Sequence, residues 1–513
     1  MIKISQINIP LSRGLSKEDI AKKLHCSPSD IKDYQIIRKS LDGRHHELHF
    51  SYSVAASVKN QEKCLRLRDV AEYDMRPYEL PKATKTCRPI VAGFGPAGMF
   101  SAMILAEAGL CPLVIERGKP CQERAKDVEA FFTKGILDTE SNVQYGEGGA
   151  GTFSDGKLTT RIKDFRIHKV LQEFIEAGAS ESIAYEARPH LGTDALQQIV
   201  VNIRNKIISL GGTVLFNTRL ESIIAQDDCV KGIVTSNGTY DCDSLVLALG
   251  HSAADTYRAL HDQNVFISAK DFAAGIRVEH PQEMINRCQY GEYYDHPALL
   301  AASYTLKHQA RNKRGVYSFC MCPGGIVIPA STQVETLAVN GMSYASRSGK
   351  NANAAILVQI PKSDFLRDTP LDGFAYQHML ETNAYRLGYK APSQNIFDYL
   401  KKQSSSSLAI ASSYPRGNEF FDMHRLFEAE VNDALSEGFE AFDKMIPGFI
   451  AQGIMVGMES RSSSPIRIDR NDSGQSLNIK GLYPCGEGAG YAGGIVSSAV
   501  DGIRQAEHLI RNI

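Results

Sequence analysis

Between Pro89 and Gly118 the chain reads PIVAGFGPAGMFSAMILAEAGLCPLVIERG: a short apolar run, a glycine turn, a helix-length stretch, and a second apolar run ending in an acid. This pattern restricts the fold more tightly than anything else in the chain. Gly93, Gly95 and Gly98 form G-x-G-x-x-G directly after the first run. Gly93 permits the tight turn, Gly95 removes the Cβ that would block a pyrophosphate, and Gly98 lets helix and strand pack closely. The helix opens at Pro96 and Ala97, and its N-terminus carries free N–H groups and about half a positive charge that face an anion. Glu116, followed by Arg117, closes the second strand where an acid accepts hydrogen bonds from an adenosine ribose. An acid there disfavours the 2′-phosphate of NADP and leaves FAD or NAD. The expected fold class is α/β, opening on a parallel Rossmann-type sheet.

The chain has 513 residues, which calls for roughly two to four domains. Residues 1–86 read as a small N-terminal α+β domain. KISQINIPL is a strand, Ser16 caps a helix with Asp19 completing a capping box, and DYQIIRKSL and HHELHFSYSVAASV alternate as half-buried strands around the Asp42-Gly43 turn. YELPKATKTCRP is a linker. Residues 87–265 and 450–513 read as the dinucleotide domain, with ALQQIVVNIRNKIISLGG an amphipathic helix and SLVLALG a buried strand. Residues 266–449 read as an inserted α+β domain for the substrate.

Lys plus Arg is 57 and Asp plus Glu 58, so there is no electrostatic footprint for nucleic acid, and none is expected as a partner. No apolar stretch approaches the roughly 20 residues that span a bilayer, and MIKISQINIPLSRG does not read as a signal peptide. The 11 irregularly spaced cysteines suit a reducing cytoplasm, the expected location.

Two further segments are unusual: the loop Tyr145–Leu158, YGEGGAGTFSDGKL, and Pro484–Ile495, PCGEGAGYAGGI. With the Rossmann opening and the phrases SFCMCPGG and GMSYASRSGKNAN, they resemble the bacterial FAD-dependent dehydrogenases, also called NAD(FAD)-utilising dehydrogenases. More distantly the layout is similar to the p-hydroxybenzoate hydroxylase and glutathione reductase flavoproteins. The resemblance implies FAD as cofactor, with Glu487, after Gly486, on its ribityl or pyrophosphate part. It also implies a helix starting near Gly493, Gly494 and Ile495, whose N–H groups point at the flavin pyrimidine edge. Four glycines in six residues, Gly146 to Gly151, would let Gly148, Gly149, Gly151 and Thr152 lie along the ring or pyrophosphate. Arg124 matches an arginine that reaches the cofactor, Arg219 and Leu220 the segment whose backbone reads the adenine, and Gly250 the strand returning to the FAD.

The expected function is an FAD-dependent oxidoreductase exchanging a hydride with a small-molecule substrate. A flavin monooxygenase, a flavin-dependent RNA modifier and a non-catalytic flavin sensor stand as alternatives. No second glycine fingerprint and no C-x-x-C pair near the first helix is present, so NAD(P)H as electron donor would act without a Rossmann domain of its own. His251, directly after the cofactor-proximal strand, is the best-placed candidate for proton transfer, ahead of His280, Glu459 and Tyr414. Arg461, ahead of Arg277 and Arg416, is the candidate to hold an anionic substrate by a bidentate fork. Cys320 and Cys322 read as a redox pair, as a flavin-facing thiol, or as buried apolar filler. No metal site is expected, because no Cys or His pairs sit at ligand spacing. Arg38, Lys39, Arg44, His45 and His46 surround the N-terminal hairpin, and this unit is expected to contact the same chain or a protein partner.

Overall fold

A computed structural model of the chain describes residues 1–44, 47–74, 77–85 and 87–513; His45, His46 and the expected boundary at residue 86 lie outside them. Five three-residue strands form a wholly parallel sheet in the order Leu482–Pro484, Leu245–Leu247, Ile90–Ala92, Leu113–Ile115, Thr213–Leu215. Successive side chains of a strand face opposite sides. Val91, Val114, Val246 and Tyr483 therefore enter one core, while Ile90, Leu113, Leu245 and Leu482 enter another. Burial on both faces explains why these strands read as continuous apolar runs. The strand order reverses around Ile90–Ala92, and the crevice beyond the carboxyl ends at such a switch point is where open α/β sheets bind ligands.

The helix Pro96–Glu107 packs against the closing helix Ile495–Asn512. Gly502 lies at the crossing, where a Cβ would strike the carbonyl of Ala97. The expected helix at Ala195–Gly212 forms as Gly192–Ser209.

A seven-stranded sheet holds the second large core. Its order is Lys307–Gln309, Gly315–Cys322, Asn351–Ile360, Phe272–Pro281, Ile454–Glu459, Ala391–Asn395, Asn418–Phe420, antiparallel except for the last pair. Strand Ile454–Glu459 pairs with Phe272–Pro281 and with Ala391–Asn395. The sheet thus runs past the boundary expected at residue 449. The run GIMVGMES is apolar and buried, and an apolar run does not announce which sheet it joins.

The N-terminal unit has its own core around Ile2, Ile4, Ile20, Leu24, Val54 and Ala56. Strands Ile2–Pro10, Ile31–Asp42, His49–Val58 and Val70–Glu72 form an antiparallel sheet, with helices Lys17–Leu24 and Gln61–Cys64 between them, the order of a split βαβ unit. The Ser16–Asp19 capping box is present. The unit contacts its own chain: the Lys39 amide donates to the Tyr185 carbonyl (2.7 Å), the Ala187 amide to the Lys39 carbonyl (2.8 Å), and Lys39 Nζ meets Glu186 at 3.0 Å.

Candidate functional site

Three glycine turns from distant parts of the chain meet at the carboxyl ends of the parallel strands. The Gly148 amide donates to the Phe94 carbonyl (2.8 Å), which ties the second glycine loop to the G-x-G-x-x-G turn. A Cβ on Gly149 would approach the Gly95 Cα to 2.9 Å, one on Gly151 would approach Ile495 Cγ1 to 3.2 Å, and one on Gly486 would approach Ala97 Cβ to 2.7 Å. These close approaches require residues without side chains. Between the turns lies one cavity with about 1840 Å³ of empty space, including the solvent at its mouth.

The cavity is lined by Gly93, Gly95, Pro96, Ala97, Glu116, Arg117, Gly149, Gly151, Gly250, Glu487, Gly493, Gly494 and Ile495 of the expected cofactor set. Arg219 and Leu220 line it as well. Gly98, Arg124, Gly148, Thr152 and Gly486 do not line it. Gly98 lies against the Gly93 carbonyl, the close packing of helix on strand expected of it. Arg124 is fully buried and donates to the carbonyls of Asn142, Val143, Glu147 and Gly149. It grips the glycine loop from behind, so its part is to hold the loop and not to reach into the cavity. Gly148 and Thr152 belong to that loop's inner face, where the Thr152 hydroxyl donates to the Glu147 carbonyl (3.1 Å). Gly486 donates to Asp501 (2.8 Å), which Arg470 holds.

The Glu116 carboxylate accepts from the amides of Phe94 (2.8 Å), Gly118 (2.9 Å) and Gly146 (2.9 Å). It organises two turns at once, and Oε2, with a single partner, keeps acceptor capacity toward the cavity. Arg117 is clamped by Glu140 and Asp255 and stacks over the Tyr145 ring at 4.0 Å. Gln144, Tyr145, Lys157 and Asn340 also line the cavity. None of the four was named as a site residue in the sequence: Gln144 lies just outside the glycine loop, Tyr145 and Lys157 belong to it without being singled out, and Asn340 precedes GMSYASRSGKNAN.

His251, Arg461 and Cys320 all line the cavity. His251 Nδ1 lies 3.6 Å from Glu487 Oε1, and its buried Nε2 has no partner among the described residues. Burial, with the Arg461 charge second, lowers His251 to about 4, so the ring is neutral at neutral pH. Burial raises Glu487 to about 7, opposed by the Gly494 amide and by Lys270. The surface Glu487 retains faces the cavity. Arg461 donates to both oxygens of buried Glu381 (2.7 Å each) and to Thr332 Oγ1 (2.5 Å). Its Nε–Nη2 edge is taken by Glu381 and one Nη1 N–H by Thr332, so the free bidentate fork expected for an anion is already tied to a carboxylate.

Arg277 is likewise consumed, by Asn353 (2.8 Å), Glu459 (2.9 Å) and the Cys320 carbonyl (2.6 Å). Arg416 lies away from the cavity on the carbonyls of Gly388 and Thr133. His280 bonds the Phe449 carbonyl and Tyr414 the Tyr389 carbonyl; neither reaches the cavity. Cys320 sits in a β-bulge with φ 41°, which departs from the alternation expected of a strand, and both Cys320 and Cys322 line the cavity. Burial pushes the Cys320 thiol up to about 12, so it is a thiol and not a thiolate.

Fold and site define a dinucleotide-binding α/β protein whose second sheet closes over the ligand crevice. The chain belongs to the family of a protein from Clostridium beijerinckii, described as "Uncharacterized protein", with which it is 46% identical over 524 residues, covering 99% of this chain and 98% of that one. Residues 271–462 match the family "FAD-dependent protein, C-terminal domain-like", which supports FAD binding, and residues 1–57 match a domain of unknown function. Similar solved structures include glycine oxidase from Bacillus cereus (12% identity, 83% of this chain and 95% of that one, TM-score 0.32). L-proline dehydrogenase from P. horikoshii is another (11%, 84% and 95%, TM-score 0.38). Among the described residues no helix is long and apolar enough to cross a membrane.

Proposed function

We propose that this chain is an FAD-dependent oxidoreductase acting on a small molecule, with NAD(P)H as a candidate electron donor. The observation that carries the reading is the convergence of the Gly93–Gly98, Gly146–Gly151 and Gly486–Ile495 turns on one cavity. The fit is supported where it is most demanding: a Cβ on Gly250, Gly493 or Gly494 would meet no protein atom within 4 Å, although all three line the cavity. That open space admits a flat ring against bare backbone. The match to an FAD-dependent family supports the same choice. The wider resemblance to p-hydroxybenzoate hydroxylase and glutathione reductase flavoproteins belongs to this reading too.

When bound, FAD would supply hydride exchange at flavin N5. The chain's own residues supply the surroundings. First-turn amides of Pro96–Glu107 and Ile495–Asn512 have no intrahelical acceptors and would stabilise negative charge in the cavity. Gly95 and Gly149 would allow backbone to approach the diphosphate. His251 Nε2, without a protein partner among the described residues, and the Glu487 carboxyl, raised to about 7, are the wall groups placed to exchange a proton. Residues 1–86 would form a separate docked unit, 87 to about 270 with about 463–513 the FAD domain, and the intervening seven-stranded sheet the substrate-facing cover.

The test is anaerobic. Purified protein loaded with FAD is exposed to NADH, NADPH and a metabolite library while the flavin absorption band is followed. Bleaching by at least one reductant is expected. A protein that takes up no FAD, or holds FAD that nothing in the set reduces, removes the reading.

A further inference from the structure

The arginines at the cavity are each hydrogen-bonded to carboxylates, and one further cation is not. On the nucleotide side Arg117 faces Glu140 and Asp255, and Arg219 faces Glu140 and Glu221. On the sheet side Arg461 is held by Glu381, and Arg277 behind the wall by Glu459. Lys157 differs. Its ammonium makes no hydrogen bond among the described residues; its nearest carboxylate, Asp155, is 3.7 Å away. Asp155 is already occupied by the Arg347 guanidinium and the Ser343 hydroxyl. One positive charge on this wall is therefore without a hydrogen-bonded counter-ion.

Lys157, at the far end of the second glycine loop, lines the cavity together with the Cys320 and Cys322 thiols. Those thiols belong to the seven-stranded sheet, across the cavity from the glycine turns. The same wall offers a second unused donor. Asn340 Oδ1 accepts from the Gly341 amide (2.8 Å) and from Arg277 (3.3 Å), while its Nδ2 makes no hydrogen bond among the described residues. An ammonium and a carboxamide NH₂ lining one cavity, beside neutral thiols, favour an anionic oxygen over a cation or an apolar group.

Resting on the FAD-dependent reading of the cavity, we propose that Lys157, with Asn340, binds an anionic group of the substrate, a carboxylate or a phosphate. The three arginines that the sequence offered for this task are engaged elsewhere, and Lys157 takes it over.

The experiment uses full-length FAD-loaded protein titrated with sodium benzoate and, separately, with inorganic phosphate, following flavin absorbance and heat. Saturable binding of one of them is expected, and which one binds separates carboxylate from phosphate. Lys157→Met weakens that binding at least about tenfold, Lys157→Arg regains most of it, and Lys163→Met on an exposed loop does not change it. FAD affinity is measured for each variant. Benzoate and phosphate that both fail to bind, binding that survives Lys157→Met, or an FAD affinity that falls by the same factor as the anion affinity, overturns the assignment. If the parent takes up no FAD, the cofactor reading fails by itself, and the calorimetric arm on the same protein still decides Lys157.

Discussion

The two walls of the cavity recognise by different means. The nucleotide wall is backbone: three-residue strands end in glycine turns, and the groups offered to a ligand are amides and helix termini. The opposing wall is side chain: Cys320, Cys322 and Glu459 of the seven-stranded sheet and Asn340 of the short strand Val339–Met342 line it, with Arg277 paired to Glu459 from behind. Backbone recognition needs residues that are missing something, so substitution fails by adding atoms. Side-chain recognition needs partners, so substitution fails by stranding one of them. The first wall suits a ligand shared by many proteins, and the second suits one that differs between them.

The sharpest contrast is expected at the buried pair. Glu459→Ala leaves Arg277 charged and unpaired in the core and should cost about 3–5 kcal/mol in urea denaturation, whereas Arg277→Met with Glu459→Leu recovers most of it. A double variant no more stable than the single one would break the distinction drawn for this wall.

The second effect depends on pH. Glu487 is raised to about 7 in the fold from an ordinary 4.5, so its stabilising contribution is full below about pH 4.5 and lost as the pH rises through 7. His251 is depressed to about 4 from 6.5, so its contribution is full above about pH 6.5 and lost as the pH falls through 4. In FAD-free protein, Glu487→Gln should gain on the parent by up to about 3 kcal/mol as the pH rises across its window. His251→Asn should gain similarly as the pH falls across its own. Parallel curves for parent and variants would show that neither group titrates abnormally.

The backbone wall is probed by Gly95→Val. Its Cβ would meet protein no closer than the Gly149 Cα at 3.7 Å, so the fold should survive while FAD affinity in a fluorescence titration drops about 100-fold. Unchanged affinity would place the diphosphate elsewhere. The smallest effect lies outside both walls: Lys39→Ala removes a half-exposed ion pair with Glu186 and should cost under about 1 kcal/mol in thermal unfolding, with FAD binding unaltered.

The glycine turns were legible because their meaning is carried by single residues in a local pattern. So were the Ser16 cap and the two hairpin strands, whose partners lie close in sequence. Arg277, Arg416 and Arg461 read alike in the sequence yet end as a core ion pair, a surface clasp on two carbonyls, and a cavity wall tied to Glu381. Arg124 was expected to reach the cofactor, and four carbonyl acceptors eighteen to twenty-five residues further along the chain decide instead where it points. Lys157 drew no attention, because what marks it is an acceptor that other groups already use.

The sequence by itself determined the parallel sheet and the glycine turn after its first strand, with Glu116 closing the second, because steric permission and strand periodicity are local properties. Only the tertiary structure decided which charges find partners, where the second sheet ends, and which side chains face the ligand. Those depend on neighbours brought together from hundreds of residues apart, and no local pattern encodes them.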